Sequence, residues 1–277
     1  MLFRSCDFTS APKRQKPIQL ATGRLSGRRL VLEQLVAFPD FAGFSVWLAQ
    51  DRPWLGGFDM PFGLPRPLVE SLGWPQQWSQ LMAFYASLSR PDIREVFAAY
   101  CDARPSGAKF AHRATDRLAG SSPSMKWVNP PVAYMMHAGV PLLLEAGVAL
   151  IGLSEGWQHQ KQAGRLALEA YPGMLAREIL GQRSYKSDTK AQQDVQRLIA
   201  RKDLIGALEH GQTRLGVQLK LSHAQRERLT DDARGDSLDA VLCMMQAAWA
   251  LQQHEAGHPM YGLPQTMDPL EGWIITS

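Results

Sequence analysis

Five acids in this chain stand where acids are expensive. Asp7 closes the apolar run "MLFRSCD", Asp59 closes "LGGFD" and Glu169 closes "LALE". Asp236 and Asp239 open "DSLDAVLCMMQAAWALQQ", in which 240–251 is apolar except for Gln246. A carboxylate at the edge of a buried run is costly unless it is paired, hydrogen-bonded or metal-bound. Three residues apart, Asp236 and Asp239 share one side of a helix. Two readings of that pair stand open. Asp236 can cap the helix by accepting a backbone N–H, with both acids suiting the positive end of the helix dipole; or both face inward as ligands. Carboxylates that converge repel one another and stay ionised together only around a cation. The chain has no CxxC and no zinc spacing of cysteines, and its histidines, His254 and His258 of "HEAGHP" included, are set aside as ligands. Hard oxygen donors of this kind point to Mg²⁺ or Mn²⁺. Two such ions about 4 Å apart can activate a water and stabilise the leaving oxygen of a phosphodiester.

The elements that must carry these acids read as strands first. "MLFRSCDF", "IQLATGRL" and "LVLEQLVAF" are three short runs joined by basic turns, which predicts an antiparallel meander. "PDFAGFSVWLAQ" predicts an amphipathic helix, and "LGGFDM" a buried strand stopped by Pro61. From about 66 to 164 the pattern is helical, with candidates in "SQLMAFYASL", "REVFAAYCDA" and "PVAYMMHAGVPLLLEAG". "RLALEAYPG" returns to a strand, taken to stop at Pro172–Gly173. Basic helices follow over "DVQRLIARKDLIGALEHG" and "SHAQRERLTDDAR", then the acidic helix, then "EGWIITS" as a possible edge strand. Strands broken by helices predict an α/β architecture.

Composition narrows the class. The 277 residues are 45% hydrophobic and 20% charged with a net charge of +4, ordinary for a globular protein and no polycation. Three scattered cysteines, Cys6, Cys101 and Cys243, offer no disulfide framework and suit a reducing cytoplasm. The N-terminus lacks the apolar core of a signal peptide, and "VPLLLEAGVALIGL" is too short for a membrane span. Gly-rich nucleotide loops of the G-x-G-x-x-G and Walker A kinds are absent. Basic stretches at 1–37, 104–126 and 177–228 can meet a phosphate backbone, and Lys186 in "QRSYKSDTK" is a candidate substrate contact.

The order three strands, helix, strand and a closing acidic helix resembles the ribonuclease H-like fold: a mixed sheet flanked by helices, here one domain over 1–277 with a helical insertion. More narrowly, the chain resembles the domain of unknown function 429 family, described as predicted ribonuclease H-like nucleases. The resemblance is carried by "CDFTSAP" (6–12), "FDMPFGLP" (58–65), "LEAYPG" (168–173), "DSLDAVLCMMQAAWA" (236–250) and "EGWII" (271–275). It implies that Asp7 bridges two metal ions, that Asp59 and Asp239 complete their shells, and that Asp236 and Glu169 are ligands or orient them. The implied activity is metal-dependent phosphodiester hydrolysis on DNA or RNA. A binding module that has lost turnover and a phosphotransferase of the wider fold are the alternatives; missing phosphate loops count against the latter.

Overall fold

A computed structural model describes residues 1–154, 157–160 and 164–277. Residues 155–156 and 161–163 of the expected insertion lie outside the described residues. The strands are β1 (Leu2–Asp7), β2 (Ile18–Ser26), β3 (Arg29–Phe38), β4 (Trp54–Asp59), β5 (Ala149–Leu150), β6 (Arg165–Glu169) and β7 (Gln218–Lys220). The helices are α1 (Phe41–Leu48), α2 (Arg66–Ser71), α3 (Trp78–Ser87), α4 (Arg90–Asp102), α5 (Ala114–Ala119), α6 (Val132–Glu145), α7 (Trp157–Gln160), α8 (Pro172–Leu180), α9 (Val195–Glu209), α10 (His223–Asp231) and α11 (Asp236–Glu255). The architecture is α/β, with one mixed sheet in the order β5-β6-β4-β1-β2-β3-β7.

The expected meander forms: β1–β2 and β2–β3 pair antiparallel. On the far side of β1, β4 and then β6 add in parallel. The sheet is covered on both faces. Phe3, Ser5 and Asp7 alternate with Arg4 and Cys6 along β1, so the two sets point to opposite faces. One face meets α1 through Phe8 against Phe44 and Trp47 against Trp54. The other is packed by α11, which lies across β1, β4 and β2. That helix is buried on every side over Asp236–Ala248, so its near-continuous apolar run reflects a central position. Gly57 of β4 permits the close approach. A side-chain carbon there would sit 2.5 Å from the Cys243 carbonyl oxygen.

Several boundaries differ from expectation, each for a local reason. Pro172 starts a helix instead of only ending a strand, because proline's fixed φ suits the first helical position. The C-terminal "EGWIITS" is not a strand. It makes a single parallel bridge, Glu169 with Ile274, beside the end of β6 that the two-residue β5 does not reach. β5 and β7 are too short for alternation to reveal. The expected insertion is mostly helical but also supplies β5. Arg4, counted among the basic N-terminal residues, is buried with its guanidinium 4.1 Å over the Trp47 ring. Among the described residues no helix is long and apolar enough to cross a membrane.

Candidate functional site

Three adjacent parallel strands end on an acid: β1 on Asp7, β4 on Asp59 and β6 on Glu169. Asp7 and Asp59 are register partners, so their side chains leave neighbouring strands on the same face, the one packed by α11. Glu169 pairs in register with Phe58, the residue before Asp59, and therefore turns to the opposite face. The five acids thus divide into a group of four and a single glutamate.

The four lie beneath the start of α11. Asp239 is fully buried and Asp236 is 8% exposed. Neither caps the helix. The N-cap position is Gly235, in the left-handed region at φ 73°, and it offers no side chain. Asp232 does the capping instead. Its carboxylate accepts the Gly235 N–H at 3.2 Å and the Ser237 N–H at 2.9 Å. The N-cap reading of Asp236 is thereby overturned, while both acids do stand in the first turn of α11.

Lys186 sits among these acids. Its ammonium donates to one oxygen of Asp239, while the buried Tyr185 hydroxyl donates to the other. Lys186, expected as a substrate contact, here serves as an internal counter-ion with 41% of its side chain accessible. The loop that carries it is held from two directions. Arg201, itself buried, donates to the Tyr185 carbonyl at 2.8 Å, and Ser187 N–H donates to the Ala233 carbonyl at 3.1 Å. Sequence reasoning missed Tyr185 and Arg201, whose roles rest on contacts between distant segments, and Asp232, whose cap is local to the turn before α11.

One lysine does not neutralise four carboxylates. Burial, then Asp239, push the Asp7 carboxyl well above the usual range, with Asp59 and Asp236 adding to the shift and Lys186 opposing it. Burial and Asp239 likewise raise Asp59 to about 7, and burial and Asp232 raise Asp236 to about 6. Burial disfavours the Lys186 charge, yet Asp239, Tyr185 and Asp7 outweigh it and hold its pKa well above the ordinary value. The donor chemistry, oxygen-rich and short of positive charge, suits a hard divalent cation. As the side chains stand, no group of three or more His, Cys, Asp or Glu among the described residues is arranged to hold a metal ion. Asp239 is spent on Lys186 and Tyr185.

Glu169 belongs to a different construction. Its oxygens accept from Arg113 at 2.6 and 2.8 Å and from the Phe62 N–H at 2.9 Å, and Arg113 also holds Asp116 at 2.8 Å. All three charged side chains are buried. With its lone pairs engaged, Glu169 ties the insertion to the end of β6 and is not placed as a ligand beside Asp7.

Beside Asp59, past the ends of β4 and β6, a cavity of about 410 Å³ opens. Such a location is where open α/β sheets place their ligands. Met60, Met135 and Ala176 give it an apolar lining, and Arg177, Arg183 and Lys186 bring positive charge to it. Ser121 and Ser122, from the basic 104–126 stretch, line it as well. Comparison with known proteins finds no matching family model, no matching curated protein and no matching solved structure.

Proposed function

We propose that this chain is a divalent-metal-dependent nuclease on a ribonuclease H-like scaffold, related to the domain of unknown function 429 family. One observation carries the reading: Asp7 and Asp59 stand side by side in register, and Asp239 approaches from the packed helix. The antiparallel meander extended in parallel beyond β1 agrees with the strand arrangement expected of that scaffold. Asp7, Asp59 and Asp239 would hold Mg²⁺ or Mn²⁺, with Asp236 at the margin and two ions expected from the carboxylate count. When bound, the metal supplies Lewis-acid stabilisation of phosphate charge and lowers the pKa of a coordinated water.

The chain's own groups do the rest. With Asp239 engaged by a cation, Lys186, which lines the cavity, would be released to donate to a phosphate oxygen. Tyr185 keeps Asp239 oriented through the exchange. Arg177 and Arg183 place positive charge along the cavity, suited to a DNA or RNA backbone. The test is cleavage of labelled DNA and RNA with Mg²⁺ or Mn²⁺. Asp7→Asn is expected to abolish cleavage while leaving the melting temperature equal or higher, since repulsion is relieved. Full cleavage by that variant would remove the assignment.

The internal Lys186–Asp239 pair favours one rival, a nucleic-acid binding module in which lysine permanently replaces the metal. That rival predicts no divalent-metal binding by calorimetry and salt-sensitive association with nucleic acid.

A further inference from the structure

The cavity beside Asp59 has properties that phosphodiester hydrolysis alone does not require. A scissile phosphate needs only an open groove past the acids, yet this site is concave and built from both sides. Its volume of about 410 Å³ falls in the range of small-ligand sites, roughly 300–1,000 Å³. Its walls combine flat and apolar surface with cationic groups. Met135 comes from the half-buried face of α6, Ala176 from α8, and Pro130 and Pro172 add rigid apolar surface. Tyr171 lines it too, with the Arg177 guanidinium 5.2 Å over its ring.

Arg177 is the informative group. It donates to the Ala119 carbonyl and the Tyr171 hydroxyl, and has no carboxylate partner among the described residues. By contrast Arg113 and Arg183, which also line the cavity, are paired with Glu169 and Asp203. An unneutralised guanidinium, an aromatic side chain and apolar walls meeting beside an acid cluster match the parts of one nucleotide: a base to lie on apolar surface, a phosphate to accept from cations. A base still stacked in a duplex cannot enter a concavity of this size.

We propose that the cavity takes a single unstacked nucleotide next to the scissile phosphate, so that the substrate is single-stranded or locally unpaired nucleic acid. The proposal rests on the nuclease reading for its place beside a scissile bond, but binding in the cavity can be measured without it.

The experiment uses the full chain without divalent metal and titrates adenosine and deoxyadenosine 5′-monophosphate by calorimetry, with inorganic phosphate in parallel. Either monophosphate is expected to bind at least about tenfold more tightly than phosphate. Met135→Trp, which fills the cavity from its half-buried wall, and Arg177→Ala, which removes the unpaired cation, are each expected to weaken binding about tenfold. Equal affinity for phosphate and both monophosphates, or undiminished binding in both variants, overturns the proposal. In the cleavage assay, Met135→Trp is expected to reduce turnover of single strands while Asp7→Asn abolishes it. Monophosphate binding without cleavage by the parent would fail the nuclease reading and keep the nucleotide site. Cleavage of perfect duplex at the single-strand rate, unchanged by Met135→Trp, would do the reverse.

Discussion

At the level of single residues, the question is which cation balances four converging aspartates. In this structure it is Lys186, held by Asp239. Removing an ion-pair partner from a buried carboxylate is costly, but this lysine is partly solvated, so the loss is about 1–3 kcal/mol. Lys186→Ala is therefore expected to lower the melting temperature in chelator. It should also increase the upward shift caused by Mg²⁺ or Mn²⁺, because the competing ammonium is gone. A metal-induced shift no larger than the parent's would show that the lysine and the metal do not share a site. Asp59 supplies a pH test. Its folded pKa is raised to about 7, whereas in the unfolded chain it ionises near 3.8. Between those values the folded state binds more protons than the unfolded state, so metal-free stability falls as pH rises through this window. Asp59→Asn abolishes that penalty. Its stabilisation, by urea titration, should be below about 1 kcal/mol at pH 4 and on the order of 4 kcal/mol at pH 8. A pH-independent difference would mean that Asp59 is not held in this environment.

At the level of elements, the start of α11 carries two acidic functions that adjoin in sequence and feel one another's charge. Asp232 finishes the helix, while Asp236 and Asp239 face the sheet ends. Asp232→Ala is expected to cost about 1 kcal/mol, a typical cap loss, with metal binding retained. Asp239→Asn should abolish metal binding while keeping the cap. Denaturant midpoints and metal calorimetry on the pair separate the two roles, and loss of metal affinity in Asp232→Ala would merge them. The same helix shows why the site lies where it does. With Gly57 allowing α11 to approach the sheet closely, the first turn reaches the ends of β1 and β4.

Across the whole molecule, a second charged group joins the parts. Arg113, Asp116 and Glu169 form a buried triad connecting the insertion to the end of β6, and burial outweighs Arg113 in raising the Glu169 pKa. Removing one charge from such a group strands the others, at about 3–5 kcal/mol. Glu169→Gln is expected to destabilise by that order in urea, opposite in sign to Asp7→Asn. Equal or greater stability in Glu169→Gln would place Glu169 with the repelling acids after all. Members of both charged centres line the cavity, Asp59 from one and Arg113 with Glu169 from the other.

The acids at strand ends were legible from the amino-acid order alone, because a charge closing an apolar run violates a local rule that needs no tertiary knowledge. The β-β-β-α-β opening was legible for the same reason: alternation and turn residues act over a few positions. Which acids meet was not legible. Strand register places Asp7 beside Asp59 and turns Glu169 to the other face, and a shift of one residue would exchange those outcomes. Lys186 and Arg113 read as cations available to a phosphate backbone, because the carboxylates that hold them come from segments distant in the chain, here α11 and β6. Local pattern records the cost of a buried charge; only the folded packing decides which partner meets it.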